Sequence, residues 1–360
     1  MAPVIDQRSV SLPIAKGSRA VGIWLLIGVF MLLMQIVIGG VTRLTGSGLS
    51  ITKWEIVTGT VPPLNQVEWQ AEFDLYKASP QYAQINQGMT LDEFKFIYFW
   101  EYFHRFWARL MGLVFFFPFV FFLAKGYLRN KLALHLIGVV ALAMVVASFG
   151  WIMVASGLVS RPYVNAYKLT LHLMLGISLF IYVFWLAVNF LWPSGTIKKL
   201  GGLRGWSTTV IIVAVLQLVL GGLMSGMKAG LFFPTWPDMN GAFAPAVLLD
   251  GAQWHLDAFK HYDTNAFAPA VVQFLHRGVA YVLTGLVLFF IMKAFKRQPL
   301  GPARAGFTLL PVLISVQVLL GIVTVVHSTG AIPVSYGVLH QAGGVLLLAN
   351  LVFAGHWCTK

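Results

Sequence analysis

Eight stretches of about 20 apolar residues restrict the fold of this chain more than any other feature. A helix of about 20 residues is long enough to cross the apolar core of a bilayer. Because backbone groups in lipid must pair within their own segment, such stretches predict helices rather than open strands. Only 10% of the 360 residues are charged, against about 25% in soluble domains. The predicted spans are Ala20–Val41, Phe103–Ala124, Leu132–Ala155, Tyr167–Leu191, Trp206–Met227, Pro269–Ile291, Ala305–Val326 and Val334–Ala354.

The net charge of +13 indicates membrane topology rather than nucleic-acid binding. More than half of the 25 lysines and arginines lie in the N-terminal tail, after the second, fourth and sixth spans, or at the C-terminus. Basic residues in short connections mark the cytoplasmic side, so we expect both termini in the cytoplasm or its organellar equivalent. Apart from Asp6, every acidic residue lies in one of two outer loops. The spans therefore lack the carboxylate that is typical of proton-coupled transporters.

The two halves of the chain repeat one pattern. Gln35-Ile-Val-Ile-Gly39-Gly40 reappears as Gln217-Leu-Val-Leu-Gly221-Gly222, and a His-Arg pair follows in each half. Each half has four spans, an even number, so the halves run in the same direction as a parallel repeat. A third copy, Gln317-Val-Leu-Leu-Gly321, indicates that the glycine unit also serves close helix packing.

This repeat predicts an all-α integral membrane protein of eight transmembrane helices, arranged as two fused four-helix bundles. The division is a cytoplasmic tail at 1–19, an N-terminal half at 20–192, a cytoplasmic linker at 193–205 and a C-terminal half at 206–360. The long outer loops are 43–102 and 228–268. In the first loop, Leu91–Tyr102 has the pattern of an amphipathic surface helix that leads into the second span.

Four histidines occupy equivalent positions in the two halves. His104 and His276 begin the second and sixth spans, and His172 and His340 lie early in the fourth and eighth. These helices all run from outside to inside, so the imidazoles lie at similar depth near the outer boundary. Two parallel helices that each present one imidazole can hold a haem between two axial nitrogens. The pattern therefore predicts one bis-histidine haem site in each half.

Charged residues near these histidines leave two interpretations open. An arginine follows the first histidine of each half, as Arg105 and Arg277. It could pair with a haem propionate or anchor its helix by snorkelling at the interface. Glu55, in the first outer loop, has Pro237 at the equivalent position of the second half. A carboxylate in one half only fits a catalytic first half and an electron-relay second half, and a solvated loop acid is the alternative.

Taken together, these motifs resemble the haem A synthase family in its mitochondrial and proteobacterial branch. The resemblance covers nearly the whole chain from the first span onward. The motifs are Gly39-Gly-Val-Thr-Arg43-Leu-Thr-Gly-Ser-Gly-Leu-Ser50, Lys53-Trp54-Glu55, Glu101-Tyr-Phe-His104-Arg105, Leu171-His172, Pro234-Thr-Trp236-Pro-Asp-Met-Asn240-Gly241, Phe274-Leu-His276-Arg277 and Leu339-His340-Gln341. Another branch carries outer-loop cysteine pairs, which the single cysteine, Cys358, excludes here.

The resemblance implies an oxidoreductase that converts a methyl group of haem O into the formyl group of haem A by successive hydroxylation and loss of water. It also implies a permanent haem b beside the substrate haem. The residues implied to bind haem b are His276, His340 and Arg277. The residues implied to bind haem O are His104, His172, Arg105 and Arg43. Glu55 is implied to act as an acid or base near the reacting methyl.

The resemblance also implies a setting in the bacterial inner membrane, with both haem sites toward the periplasm. Haem O synthase, assembly factors of terminal oxidases, membrane lipids and an unidentified electron donor are the implied partners, and homo-oligomerisation stays open. Two other classes of protein also fit paired histidines, a quinol-oxidising membrane cytochrome and a haem exporter or chaperone. Many such cytochromes carry two histidines on one helix, whereas each helix here offers one. Only a synthase makes a formyl-bearing haem.

Overall fold

The protein is an all-α integral membrane protein, seen here in a computed structural model that describes residues 18–53, 58–128, 130–159, 161–192 and 200–358. In these ranges eight helices are long and apolar enough to cross a membrane. They are α1 (Ser18–Leu44), α4 (Leu91–Ala124), α5 (Asn130–Gly157), α6 (Ala166–Leu191), α7 (Arg204–Gly226), α9 (Phe267–Phe295), α10 (Gly301–Val326) and α11 (Val334–His356). All eight predicted spans are confirmed as helices.

Three shorter α-helices lie in the outer loops of the described chain: α2 (Gln66–Lys77), α3 (Pro80–Gln84) and α8 (Leu256–Lys260). Most of the predicted cytoplasmic tail and residues 193–199 of the predicted linker lie outside the described residues. The division into two halves with these boundaries therefore stays a prediction.

The helix α4 joins the predicted surface helix and the second span into one helix of 34 residues. It begins with a capping box, in which the Thr90 side chain accepts from the Glu93 N–H and the Glu93 carboxylate accepts from the Thr90 N–H. The buried rings of Phe94 and Tyr98 pack with Phe73 of α2 and other loop side chains. At about 1.5 Å per residue, α4 is longer than the bilayer core is thick. Its first turns therefore connect the outer loop rigidly to the second span.

Consecutive spans pack as four helix hairpins, which are α1–α4, α5–α6, α7–α9 and α10–α11. The first and last spans of each half also meet, as α1 with α6 and α7 with α11. The same four helices contact each other between the halves, as α1 with α11 and α6 with α7. These four helices form the centre of the bundle. Its largest core cluster includes Ile36, Ile177, Phe180, Val210, Phe290, Phe307 and Leu351.

Small residues allow α6 and α7 to approach closely on the outer side of this centre. A methyl group placed on Gly226 would lie 2.7 Å from Cα of Ala166. A methyl group on Gly222 would lie 2.9 Å from Cγ2 of Thr170. Lipid gives little hydrophobic drive for helix association, so close van der Waals packing of this kind holds membrane helices together.

We predict that Gly226→Ala lowers the free energy of unfolding by about 1–3 kcal/mol, because the new methyl group overlaps the α6 backbone. Gly285→Ala is the matched control, since a methyl group there has no neighbour within 4 Å. Removing a glycine from a helix interior should stabilise that control by about 0.5–1 kcal/mol. Unfolding in detergent micelles, followed by circular dichroism, measures both. Equal stability of the two variants would contradict the close approach.

Candidate functional site

In each of the four hairpins, the histidine of the second helix lies against a glycine of the first. A methyl group on that glycine would lie between 2.9 and 3.5 Å from Cε1 of the imidazole. The contacting pairs are Gly39 with His104, Gly150 with His172, Gly221 with His276, and Gly321 with His340. The repeated glycines thus do serve packing, as the sequence indicated, and their packing partner is the imidazole. Sequence analysis missed Gly150, because the glutamine that marks the other three copies is absent there.

A glutamine lies one turn before the glycine in three hairpins. Each amide lies beside a ring nitrogen of the histidine and donates to the backbone carbonyl of the same residue. Nε2 of Gln35 lies 3.3 Å from Nε2 of His104, and Nε2 of Gln317 lies 3.2 Å from Nδ1 of His340. Nε2 of Gln217 lies beside both ring nitrogens of His276, at 3.2 Å from Nδ1 and 3.3 Å from Nε2. The bonds from Gln35, Gln217 and Gln317 to the carbonyls are 3.2, 3.1 and 2.9 Å long. These amides fix the histidines from two directions.

The fourth histidine, His172, is held differently. Val146 takes the position of the glutamine, and its backbone carbonyl oxygen lies 3.1 Å from Nδ1 of His172. A carbonyl can only accept, so Nδ1 carries the hydrogen. The other ring nitrogen, Nε2, is then the one with a lone pair for a metal.

The two histidines of the C-terminal half face each other. The ring centres of His276 and His340 are 6.3 Å apart, and their planes cross at 78°. Metal–imidazole bonds are about 2.0 Å long, so two imidazoles on opposite sides of one metal have centres about 6 Å apart. Both rings line a largely apolar cavity between α7, α9, α10 and α11, together with Gln217 and Gln317. This geometry fits a planar metal macrocycle held by two axial nitrogens.

Arg277 binds the outer loop that covers this cavity. Its guanidinium donates to the carbonyls of Asp238 at 2.6 Å, Thr235 at 2.7 Å and Phe233 at 3.0 Å. Hydrogen bonds from Thr235 and the Gly241 N–H, followed by the nearby charge of Arg277, lower the pKa of the Asp238 carboxyl. The arginine therefore fixes the shape of this loop, a use that neither sequence interpretation named.

Trp236, in the same loop, lines the cavity as well. Its indole donates to the Tyr281 hydroxyl on α9 at 3.1 Å. This bond joins the loop to the helix one turn below Arg277, and it places an aromatic ring at the mouth of the cavity.

Arg105 likewise binds the outer loop of the N-terminal half. It donates to the carbonyls of Lys53 at 3.0 Å and Ile51 at 3.2 Å, and it pairs with the Glu101 carboxylate at 2.5 Å. Glu101 also accepts from the Ser50 hydroxyl and the Ile51 N–H, each at 2.8 Å. The two arginines thus hold equivalent segments of the two outer loops.

Glu101 is a site residue to which sequence analysis gave no role. It is only 3% exposed and lies one helical turn before His104. At the equivalent position before His276 stands Gln273, which is fully buried and donates to the Phe233 carbonyl at 2.8 Å. A carboxylate three residues before one histidine and a glutamine before its repeat partner was the available signal.

Arg43 joins the two halves on the outer side. Near the end of α1, it donates to the carbonyls of Ser225 at 2.9 Å and Gly226 at 3.3 Å at the end of α7. Lys228 follows, with its ammonium 3.7 Å from the Tyr163 ring centre. Burial, and next the nearby charge of Arg43, lower the pKa of Lys228 to about 8. The predicted catalytic residue Glu55 lies outside the described residues.

These features define a class of protein, a multi-span helical membrane protein whose four helix hairpins each hold a histidine against a glycine. Residues 22–352 match the COX15-CtaA family, described as cytochrome oxidase assembly protein. The chain therefore belongs to this family, and the family resemblance of its motifs is confirmed.

Named relatives agree with this assignment over their full length. The haem A synthase of Nitrosospira multiformis is 39% identical over 341 residues, which cover 94% of this chain and 93% of that protein. The haem A synthase of Flavobacterium johnsoniae is 37% identical over 351 residues, covering 96% and 99%. That of Nitrosomonas eutropha is 40% identical over 334 residues, covering 91% and 90%.

Proposed function

We propose that this protein is a haem A synthase, an oxidoreductase that converts a methyl group of haem O to a formyl group and so supplies haem A to terminal oxidases. The observation that carries the proposal is the full-length similarity to proteins named haem A synthase. The paired imidazoles support it, because a haem substrate and a haem cofactor both need nitrogen ligands at the same depth in the membrane.

In this proposal His276 and His340 hold a permanent haem b. The spacing of 6.3 Å between their ring centres supports this role, as does the cavity that they line. A bound haem b would supply electrons to the reacting site. Arg277 holds the loop whose Trp236 lines the cavity, so its loop contacts support a positioning role beside haem b.

The N-terminal half then holds the substrate haem O between His104 and His172. Both imidazoles lie against glycines as the other pair does. The buried ring nitrogen Nδ1 of His104 has no hydrogen-bond partner among the described residues, which fits a nitrogen that binds a metal. Arg105 and Arg43 would stand beside this substrate, and Glu55 would be the acid or base near the reacting methyl.

The family supports a bacterial inner-membrane location, and the charge pattern supports both termini in the cytoplasm with the haem sites toward the periplasm. The repeat supports two halves, 20–192 and 206–360, joined by a cytoplasmic linker. Haem O synthase and terminal-oxidase assembly factors would be partners that deliver the substrate and accept the product.

Product analysis tests the proposed activity directly. We expect that the protein purified in detergent from cells that supply haem O contains haem A, its hydroxylated precursor and haem B. Extraction, chromatography and mass measurement of the pigments identify them. Haem B alone, despite available haem O, would instead indicate a bis-histidine cytochrome or a haem carrier.

Single histidine substitutions test the division of labour. We expect His276→Ala and His340→Ala to lose the low-spin haem b spectrum, because each removes one axial ligand. His104→Ala and His172→Ala should keep that spectrum and fail to convert haem O. Absorption and electron paramagnetic resonance spectra of the four purified variants provide the measurement. A complete low-spin haem b signal in both C-terminal variants would refute the assignment.

Glu55→Gln tests the proposed acid or base. We expect it to keep both haems and to slow oxidation about 100-fold or more, the usual effect of losing a general acid or base. Glu68→Gln in the same outer loop is the control, because among the described residues the Glu68 carboxylate accepts from the Asn65 amide and the Leu64 N–H near the start of α2. Unchanged conversion of haem O by Glu55→Gln would reject the role.

A further inference from the structure

We propose that Gln35, Gln217 and Gln317 are positioning residues that orient the haem-binding imidazoles through their side-chain amides. The inference rests on the proposed function for the identity of the metal group, and it adds three residues to the site. Each amide contacts one histidine twice, at a ring nitrogen and at the backbone carbonyl. Both contacts are made by one atom, Nε2 of the glutamine, which lies beside the imidazole in all three hairpins.

An imidazole that binds a metal through one nitrogen carries a hydrogen on the other, and that hydrogen needs an acceptor. Such outer partners set the ring orientation and raise the basicity of the ligand. In the described part of the chain, the amide oxygens of Gln35, Gln217 and Gln317 are all buried and accept no hydrogen bond. A buried acceptor without a donor is costly, so three of them at repeated positions indicate a partner that forms with the metal. Rotation of the amide would present this oxygen to the ring hydrogen and would break the hydrogen bond from Nε2 to the backbone carbonyl.

The fourth hairpin shows that the glutamine is not needed for helix packing. The α5–α6 hairpin closes on the same glycine–imidazole contact, with a methyl group on Gly150 lying 3.0 Å from Cε1 of His172. It does so with Val146 where the others have glutamine. There the Val146 carbonyl takes the ring hydrogen instead. The glutamines therefore replace an acceptor that the backbone supplies in the one hairpin without them.

The α10–α11 hairpin offers a matched control. Gln317 of α10 donates to the His340 carbonyl of α11 at 2.9 Å, and Asn350 of α11 donates to the Gly306 carbonyl of α10 at 2.9 Å. Both are hydrogen bonds from a side-chain amide to a backbone carbonyl, and both join the same two helices. Asn350 lies ten residues beyond His340, or about 15 Å along the helix, so only Gln317 touches the imidazole.

The experiment compares Gln317→Leu, Gln217→Leu and Asn350→Leu in the purified full-length protein loaded with haem b. We measure the rate at which haem b transfers to an excess of a soluble haem-binding protein. The low-spin signal in the electron paramagnetic resonance spectrum is recorded for the same samples. We expect both glutamine variants to release haem b about tenfold faster or more, the usual effect of losing an outer partner. Their low-spin signals should shift, and Asn350→Leu should keep the parent signal and a release rate within about twofold.

Gln317→Glu is the conservative variant, because it keeps the side-chain length and an oxygen acceptor for the ring hydrogen, and we expect it to release haem b more slowly than Gln317→Leu does. Parent signals and release rates in both Gln217→Leu and Gln317→Leu would overturn the proposal. Equal effects of Gln317→Leu and Asn350→Leu would also overturn it, since they would reflect helix packing alone. These readouts require haem b and no product, so a protein that makes no haem A would fail the proposed function and leave this inference standing.

Discussion

In every hairpin of this protein an imidazole lies against the backbone of a glycine, and the rest of the bundle is arranged around that contact. Lipid offers no water to satisfy a buried polar ring, and it drives helices together only weakly. The contact answers both constraints, because the glycine allows the helices to approach and the approach encloses the imidazole. It requires a glycine at four positions, and the chain has one at each: Gly39, Gly150, Gly221 and Gly321.

The two halves are joined by polar contacts at the level of the histidines. Gln341, which follows His340, donates to the Ile36 carbonyl on α1 at 2.8 Å. Ile36 in turn follows Gln35, whose amide lies beside His104. Only a few residues therefore connect a ligand of one proposed haem to a ligand of the other. Because carbonyls and amides in lipid have few other partners, this connection fixes the relative position of the two sites.

The sequence predicted the helices and the histidines well because both follow from strong constraints. A span must be apolar over its whole length, so hydropathy alone located all eight, and a repeat made the equivalent histidines visible. The join between the surface helix and the second span was also predicted, and its capping signal, Thr90 followed by Glu93, is local. The loop contacts were not predicted, because every residue has a backbone carbonyl and no residue pattern identifies the ones that Arg105 and Arg277 bind. Gly150 was missed for a related reason, since a backbone carbonyl replaces its glutamine.

The two outer loops are held to their helices in the same way, but by residues of different charge. Each is fixed by an arginine that follows a proposed haem ligand, and each contacts a polar residue one turn before that ligand. In the C-terminal half this residue is the neutral Gln273, whereas in the N-terminal half it is Glu101, paired with Arg105. Removing one partner of a buried ion pair leaves an uncompensated charge and is costly, so the N-terminal loop depends on its arginine more strongly. The halves therefore differ in the electrostatic field next to the proposed haem ligands, which is the kind of difference that separates a reacting site from a relay.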